Sequence, residues 1–412
     1  MLNRIKSRTI LGLIFKIIEN RTKLKIVKCN MNLMNKLNIK IKNFQDYLLL
    51  KKINHRYNLN IENVDIKKLK INDKLLNDNF IENISKINFY ELKELSLENN
   101  YISELNLKID IQKIYFFKYL EILDLSHNKI NNIDALGKIE FKKLKILNLS
   151  HNNISDIKTF CNLKAEKLIE LNLFNNNIID IKELEKAKID DLEILNLGFN
   201  KIINIDILEK VNYEELNELI LNCNKISEVD IITKIKFKKL QNIDLSYNNI
   251  LETSPLNNMS FKELKILALS SNKITSVEFL ETVKLENLES LNLSFNQISN
   301  ITIFEKVNFK KLKKLFLCNN DIFAIDVLEN VNFENLEEID LGYNKISDIN
   351  ILENTNFPKL KILYLYGNNI SEIKVLYKIN VEIINISNNK INIEENNEII
   401  SYLKSFLKEF IY

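Results

Sequence analysis

The sequence is poor in the residues that usually punctuate a chain of its length. Its 412 residues include five glycines, two prolines, four cysteines and no tryptophan. The glycines stand at positions 12, 137, 198, 342 and 367, so no G-x-G pair exists. This excludes the dinucleotide fingerprint and the P-loop, which need clustered glycines for backbone to approach a phosphate. Two prolines exclude Pro-rich linkers and polyproline ligand segments within the chain. Cys29, Cys161, Cys223 and Cys318 are scattered singly. That spacing speaks against a disulfide framework and for a reduced compartment. An excess of one charge is missing too: 58 basic and 55 acidic side chains leave +3, which gives no general attraction to nucleic acid.

What is present is asparagine held in register, on an apolar content of 46% that is ample for a core. The pattern L-x-x-L-x-L-x-x-N-x-I, seen in Leu120–Ile130, recurs with its Asn at 100, 128, 152, 176, 200, 224, 248, 272, 296, 320, 344, 368 and 389. From Asn128 to Asn368 every step is 24 residues; the first gap is 28 and the last is 21. Atypical terminal repeats are expected of a solenoid. Residues 91–393 thereby resemble the leucine-rich repeat family, as thirteen repeats. The fold expected is an α/β solenoid, with a parallel sheet on the concave side, short helical turns on the convex side and helical caps. In each repeat the L-x-L pair forms a short strand; Leu123 and Leu125 point inward while Asp124 and Ser126 face out. The resemblance implies that the thirteen asparagines bond to backbone inside the turns. On that reading Asn248→Ala leaves buried groups unpaired, at roughly 1–3 kcal/mol.

A second register holds Phe89, Phe117, Phe141, Phe237, Phe261, Phe309, Phe333 and Phe357, with Tyr213 in the same column. An aromatic ligand channel and core filling both fit such a column. Ala165, Ile189 and Leu285 stand in it as well, which favours core. At the C-terminus, Ile399, Ile400, Leu403, Phe406, Leu407 and Phe410 recur at helical spacing, so residues 394–412 are expected to form a capping helix or a partner-binding helix. Residues 63–90 read as a degenerate first repeat, with Ile66, Leu69 and Ile71 in place and Lys74 where the Asn would stand. Residues 1–62 lie outside the repeats and look helical. Their apolar stretch, Ile10–Ile18, contains Lys16 and is too short to span a bilayer; no small-residue cleavage site follows it. The segment is a cap for the first repeat, or it resembles an F-box. The second reading implies a substrate adaptor of a cullin-RING ubiquitin ligase, although no Leu-Pro opens the segment and it has no Trp. The expected location is intracellular, in cytoplasm or nucleus.

No catalytic constellation stands out. His127 and His151 occupy one column of adjacent repeats, and no third His or Cys accompanies them to complete a metal site. No cofactor or metal is implied, and the chain reads as a non-enzyme. Its inner face carries the outward strand positions, where Glu94, Glu98, Asp124, Glu170, Glu218, Asp244, Glu338 and Asp340 meet a single base, Lys314. Such a face repels phosphate backbones and favours a protein partner with a basic patch. Phe316, Tyr364 and Tyr366 are outward positions too, and Tyr343 stands at a strand end between them. With Asp340 they form a candidate partner-binding patch, the alternative being a cover for the end of the core. Phe174 and Phe199 make a smaller candidate pair, with Glu170, Glu218 and Asp244 as further candidates. The short repeats resemble those of intracellular proteins such as the regulatory subunit of protein phosphatase 1, which implies a phosphatase as one class of partner. The protein is expected to act as a monomeric scaffold or adaptor.

Overall fold

The structure is a computed structural model that describes residues 52–53, 55–56, 67–72, 76, 79–84, 87, 89, 91–105 and 115–412. The first repeats' Lys74 and nearly all of the segment 1–62, with its cap and F-box readings, lie outside the described residues.

Among the described residues, fifteen three-residue strands stack in chain order into one parallel sheet. They begin with β1 (Lys68–Lys70), β2 (Glu94–Ser96), β3 (Ile122–Asp124), β4 (Ile146–Asn148), β5 (Glu170–Asn172), β6 (Ile194–Asn196), β7 (Glu218–Ile220) and β8 (Asn242–Asp244). The order continues through β9 (Ile266–Ala268), β10 (Ser290–Asn292), β11 (Lys314–Phe316), β12 (Glu338–Asp340), β13 (Ile362–Tyr364), β14 (Ile383–Asn385) and β15 (Glu409–Ile411). Strand register follows the sequence period, Leu123 pairing with Leu147 and Leu147 with Leu171. The central leucine of each pair is buried, and the flanking residues face the concave surface. Short 3₁₀ turns such as Asp206–Glu209 and Asp326–Glu329 build the convex side. Each inserts two apolar side chains, Ile207 and Leu208 or Val327 and Leu328, beneath the sheet.

The asparagines form the expected ladder. Asn248 Nδ2 donates to Leu245 O at 3.0 Å and Ser246 O at 3.2 Å in its own turn, and to Leu221 O at 3.0 Å in the repeat before. Its Oδ1 accepts the Ile226 N–H at 2.9 Å. One amide thus closes its own turn and ties it to its neighbour. The arrangement repeats from Asn100, which reaches Ile71 O at 2.7 Å, to Asn389, which takes the Ile370 N–H at 3.0 Å. The residue before each ladder Asn has positive φ, from Asn99 (57°) to Asn388 (56°), with Gly367 (67°) among them. That left-handed step turns the chain out of the strand.

The convex aromatic column is core: Phe89, Phe141, Phe237 and Phe333 are buried, as is Tyr213. Tyr213 alone brings a hydroxyl into this column, and the oxygen is enclosed without a hydrogen-bond partner. Burial, together with the charge of Asp190, pushes its ionisation far above the usual tyrosine range. An unpaired buried hydroxyl destabilises, so Tyr213→Phe is expected to stabilise the protein by about 1 kcal/mol. A urea titration of the two proteins measures it.

The C-terminus corrects one expectation. Helix α1 (Asn79–Ile84) lies near the start of the sheet, and α2 (Asn397–Phe406) near its end. The second helix stops before Phe410, and Glu409–Ile411 instead adds strand β15 to β14. A free sheet edge offers unpaired backbone groups that a last strand can satisfy. Phe406, expected on the apolar face, is exposed and stacks on Tyr402 at 5.7 Å; the buried face is Ile399, Ile400 and Leu403.

Candidate protein-binding surface

The inner surface is built from the two outward residues of each strand and the second residue beyond it, because the first beyond it is a buried leucine or its equivalent. Many strands carry Asp or Asn at their third position, and a local bond explains this. The side chain accepts the backbone N–H two residues on: Asp124 from Ser126 at 3.0 Å, Asp244 from Ser246 at 2.9 Å, Asp340 from Gly342 at 2.8 Å. Asn148, Asn172 and Asn292 do the same. These acids therefore cap their own strands, and their charge is additional to that role.

The inner face holds more bases than the sequence columns show. Lys314 is not its only base, because β1 contributes Lys68 and Lys70. Their ammonium groups reach Glu94 at 2.6 and 2.7 Å. Hydrogen bonds from the two lysines hold the Glu94 carboxyl below its ordinary range. Lys314 likewise lies 3.0 Å from Glu338. The middle of the face is different. Glu170 and Glu218 flank Ile194 on β6 across two strand spacings. Burial, with the charge of Glu218, raises the Glu170 pKa. Beside the inner face, an edge column pairs its charges internally, as in Lys93–Glu121–Lys145 (2.6 and 3.2 Å) and Lys361–Glu337 (2.8 Å). Exposed pairs of this kind add little stability.

The C-terminal patch is assembled as a unit. Register places Asp340 between Phe316 and Tyr364 on neighbouring strands. Tyr366 lies across Gly342, where an added Cβ would sit 2.4 Å from the ring. Its hydroxyl reaches Cys318 Sγ at 3.1 Å, two repeats away, and donates to Asp340 Oδ2 at 3.3 Å. Tyr343 packs edge-on against Tyr366 with centroids 5.2 Å apart, and Tyr364 lies 6.2 Å from Tyr366. Tyr343 in turn covers Gly367, where a Cβ would meet its ring at 2.4 Å. Burial raises the Asp340 pKa, opposed by the Gly342 N–H and the Tyr366 hydroxyl; burial also raises the Cys318 thiol. Phe316, Asp340, Tyr343, Tyr364 and Tyr366 are thus gathered on one surface, and Gly342, Gly367 and Cys318 join them. Sequence reading did not assign these three to the patch, although two of the chain's five glycines at strand ends in that region were a signal.

Phe174 and Phe199 form a second group in the middle of the array, and it is larger than expected. Their rings are 4.9 Å apart, His151 lies 5.3 Å from Phe174, and His127 stacks on His151 at 4.0 Å. The two histidines, which the sequence places in one column without a third metal ligand, extend a four-ring stack along the ends of β3 to β6. Gly198 again makes room, a Cβ there meeting Phe174 at 3.1 Å. Asp244 stands two strands beyond β6, apart from this stack. Burial first, then the charge of His127, lowers the His151 pKa from its ordinary 6.5. The folded protein therefore binds this proton less tightly than the unfolded chain. The neutral form's contribution is complete above about pH 6.5 and is lost as pH falls through the lowered value. His151→Asn, suited to a left-handed backbone, should remove that part of the acid-side slope. Denaturation at about pH 5 and about pH 7.5 checks the change.

Comparison with known proteins agrees with this geometry. Models described as "Leucine Rich repeats (2 copies)" match residues 120–163 and 262–306, and one described as "Leucine rich repeat" matches 310–370. The fold is similar to that of an internalin from Listeria monocytogenes: 25% identity, TM-score 0.63, covering 84% of this chain and 95% of that one. It is also similar to a leucine-rich repeat protein of Leptospira interrogans, at 22% identity and TM-score 0.63, covering 88% and 98%. A plant peptide hormone receptor solved with its peptide shares 21% identity at TM-score 0.55, over 79% of this chain and 52% of the receptor. No curated protein matches the sequence. The chain folds as a leucine-rich repeat solenoid. Among the described residues no helix is long and apolar enough to cross a membrane, and no cluster of three or more His, Cys, Asp or Glu side chains could hold a metal ion.

Proposed function

We propose that this protein is a non-enzymatic binding scaffold, acting as a monomer inside the cell, that docks a protein partner on its concave face. The observation that carries the reading is the Tyr366 arrangement. A tyrosine ring seated on a glycine and tied through its hydroxyl to Asp340 and Cys318 is ordered before any partner arrives. Little side-chain entropy then remains to be lost on binding. Tyr343 and Tyr364 extend the aromatic surface, and aromatic residues grouped in this way resemble interaction hot spots. The partner is a protein with a basic patch, since the uncompensated acids Glu170 and Glu218 lie along the same face. The peptide held by the plant receptor is a precedent for ligand binding by this fold. The described cysteines are free thiols, in keeping with an intracellular location. The test is quantitative affinity capture with the wild-type chain and with Phe316→Ala/Tyr364→Ala/Tyr366→Ala. The variant should lose specific partners while retaining the wild-type circular dichroism spectrum. An unchanged partner set would show that the patch does not bind.

A further inference from the structure

The left-handed position before each ladder Asn carries a second pattern, on the flank of the solenoid. From residue 199 onward it alternates large and small: Phe199, Cys223, Tyr247, Ser271, Phe295, Asn319, Tyr343, Gly367. The four aromatics are 46, 58, 50 and 52% exposed, at φ of 54°, 55°, 57° and 47°. Bulky side chains are unfavourable in this backbone region, where Asn, Asp, His and Gly are the usual occupants. Asn occupies it here at 99, 175, 319 and 388. The turn therefore needs the conformation and gains nothing from the rings. Strands lie about 4.8 Å apart, so the backbone positions that carry the rings repeat about every 9.6 Å, with a small residue between each pair.

This spacing selects a ligand conformation. A polyproline II helix repeats every three residues, about 9.3 Å. An extended strand repeats on one face at about 6.8 Å, and an α-helix returns to one face after seven residues, about 10.5 Å. Across three intervals the ribs span about 29 Å, against about 28 Å for polyproline II and about 31 Å for the heptad. Gaps between exposed aromatic rings are also the surface on which polyproline segments dock elsewhere. Charge narrows the partner further. Two residues on, the next outward column carries exposed Lys201, Lys225 and Lys273 beside the first three ribs. Beyond it, Ile203 and Leu251 continue the apolar strip.

We infer that this flank binds a proline-rich segment of a partner protein in the polyproline II conformation, with acidic residues facing the lysine column. Phe199, Tyr247 and Phe295 lie outside the C-terminal concave patch, and the last rib, Tyr343, is shared with it. The probe is a fluorescein-labelled peptide of four Pro-Pro-Glu triplets, titrated against the full chain by fluorescence polarisation at physiological salt. A Gly-Ser-Glu peptide of equal length and charge is the control. Saturable binding of the proline peptide is expected, at least tenfold tighter than the control. Tyr247→Asn/Phe295→Asn should weaken it at least tenfold while leaving the melting temperature unchanged or higher, because Asn suits this backbone. Phe316→Ala/Tyr364→Ala, which leaves Tyr366 in place under Tyr343, should bind the peptide as wild type does. Absence of saturable binding, equal affinity for the control peptide, or indifference to the Asn variant would each overturn the inference. Should the double variant fail to fold, Tyr247→Ser alone is titrated, and its affinity decides.

Discussion

Asn248→Ala should destabilise the protein by about 3 kcal/mol, the upper end of what leaving buried polar groups unpaired costs. The side chain serves four backbone groups at once: its two N–H protons are shared among three carbonyls, and its oxygen accepts the Ile226 N–H. Alanine serves none of these, and the position is too buried for water to reach them freely. The damage also falls on two repeats, because Leu221 O and Ile226 N belong to the preceding turn. In a solenoid, stability is carried by repeats and by the contacts between neighbours. A broken rung at the centre should therefore separate the array into two halves that unfold at different denaturant concentrations. Asn248→Asp is a sharper probe. It keeps the acceptor for Ile226 but sets a carboxylate against three carbonyl oxygens, which raises its pKa in the folded state. For a carboxyl whose folded pKa is raised, stability is regained as pH falls through that value. Asn248→Asp should thus be worst at neutral pH and recover on acidification, whereas Asn248→Ala should show no such recovery. Urea titrations at two pH values measure both effects.

Gly342→Ala is the second large effect, and it joins stability to binding. The added methyl would lie 2.4 Å from the Tyr366 ring, nearer than any real contact. The ring must leave its seat, which breaks the bonds to Cys318 and Asp340 and withdraws the support for Tyr343. Strain of this kind costs about 1–3 kcal/mol. Partner capture should fall as far as it does for the triple alanine variant, although no aromatic residue has been removed. A double-mutant cycle separates the causes. In Gly342→Ala/Tyr366→Ala the clash is gone, so stability should exceed the sum of the single effects, while binding stays lost. If Gly342→Ala binds its partner normally, the seated ring is not the feature that the partner recognises.

The fold was legible because a single period governs it. Each Asn occupies a place that only a side chain with both a donor and an acceptor can fill, so its 24-residue spacing writes the turn directly into the sequence. The concave residues were legible by column, and Phe316, Tyr364 and Tyr366 do share one surface. What columns do not reveal is how side chains lean across repeats. The bond from Tyr366 to Cys318 spans 48 residues, and the His127–His151 stack depends on ring orientation rather than position alone. The ends were harder still. Lys68 and Lys70 neutralise Glu94 from a repeat too degenerate to align by its Asn. Strand β15 is three residues long and follows a helix, so it has no period to betray it. Its pairing is set by the open edge of β14.

The central claim is that a partner engages the aromatic patch at the C-terminal end of the concave face. Hydrogen–deuterium exchange of the protein, free and in complex with a partner that the triple variant fails to capture, tests it directly. Slowed exchange is expected in two stretches, Lys314–Cys318 and Asp340–Gly367, with the N-terminal repeats unchanged. Protection confined to the first repeats or to the convex 3₁₀ turns, with both stretches exchanging as in the free protein, would contradict it.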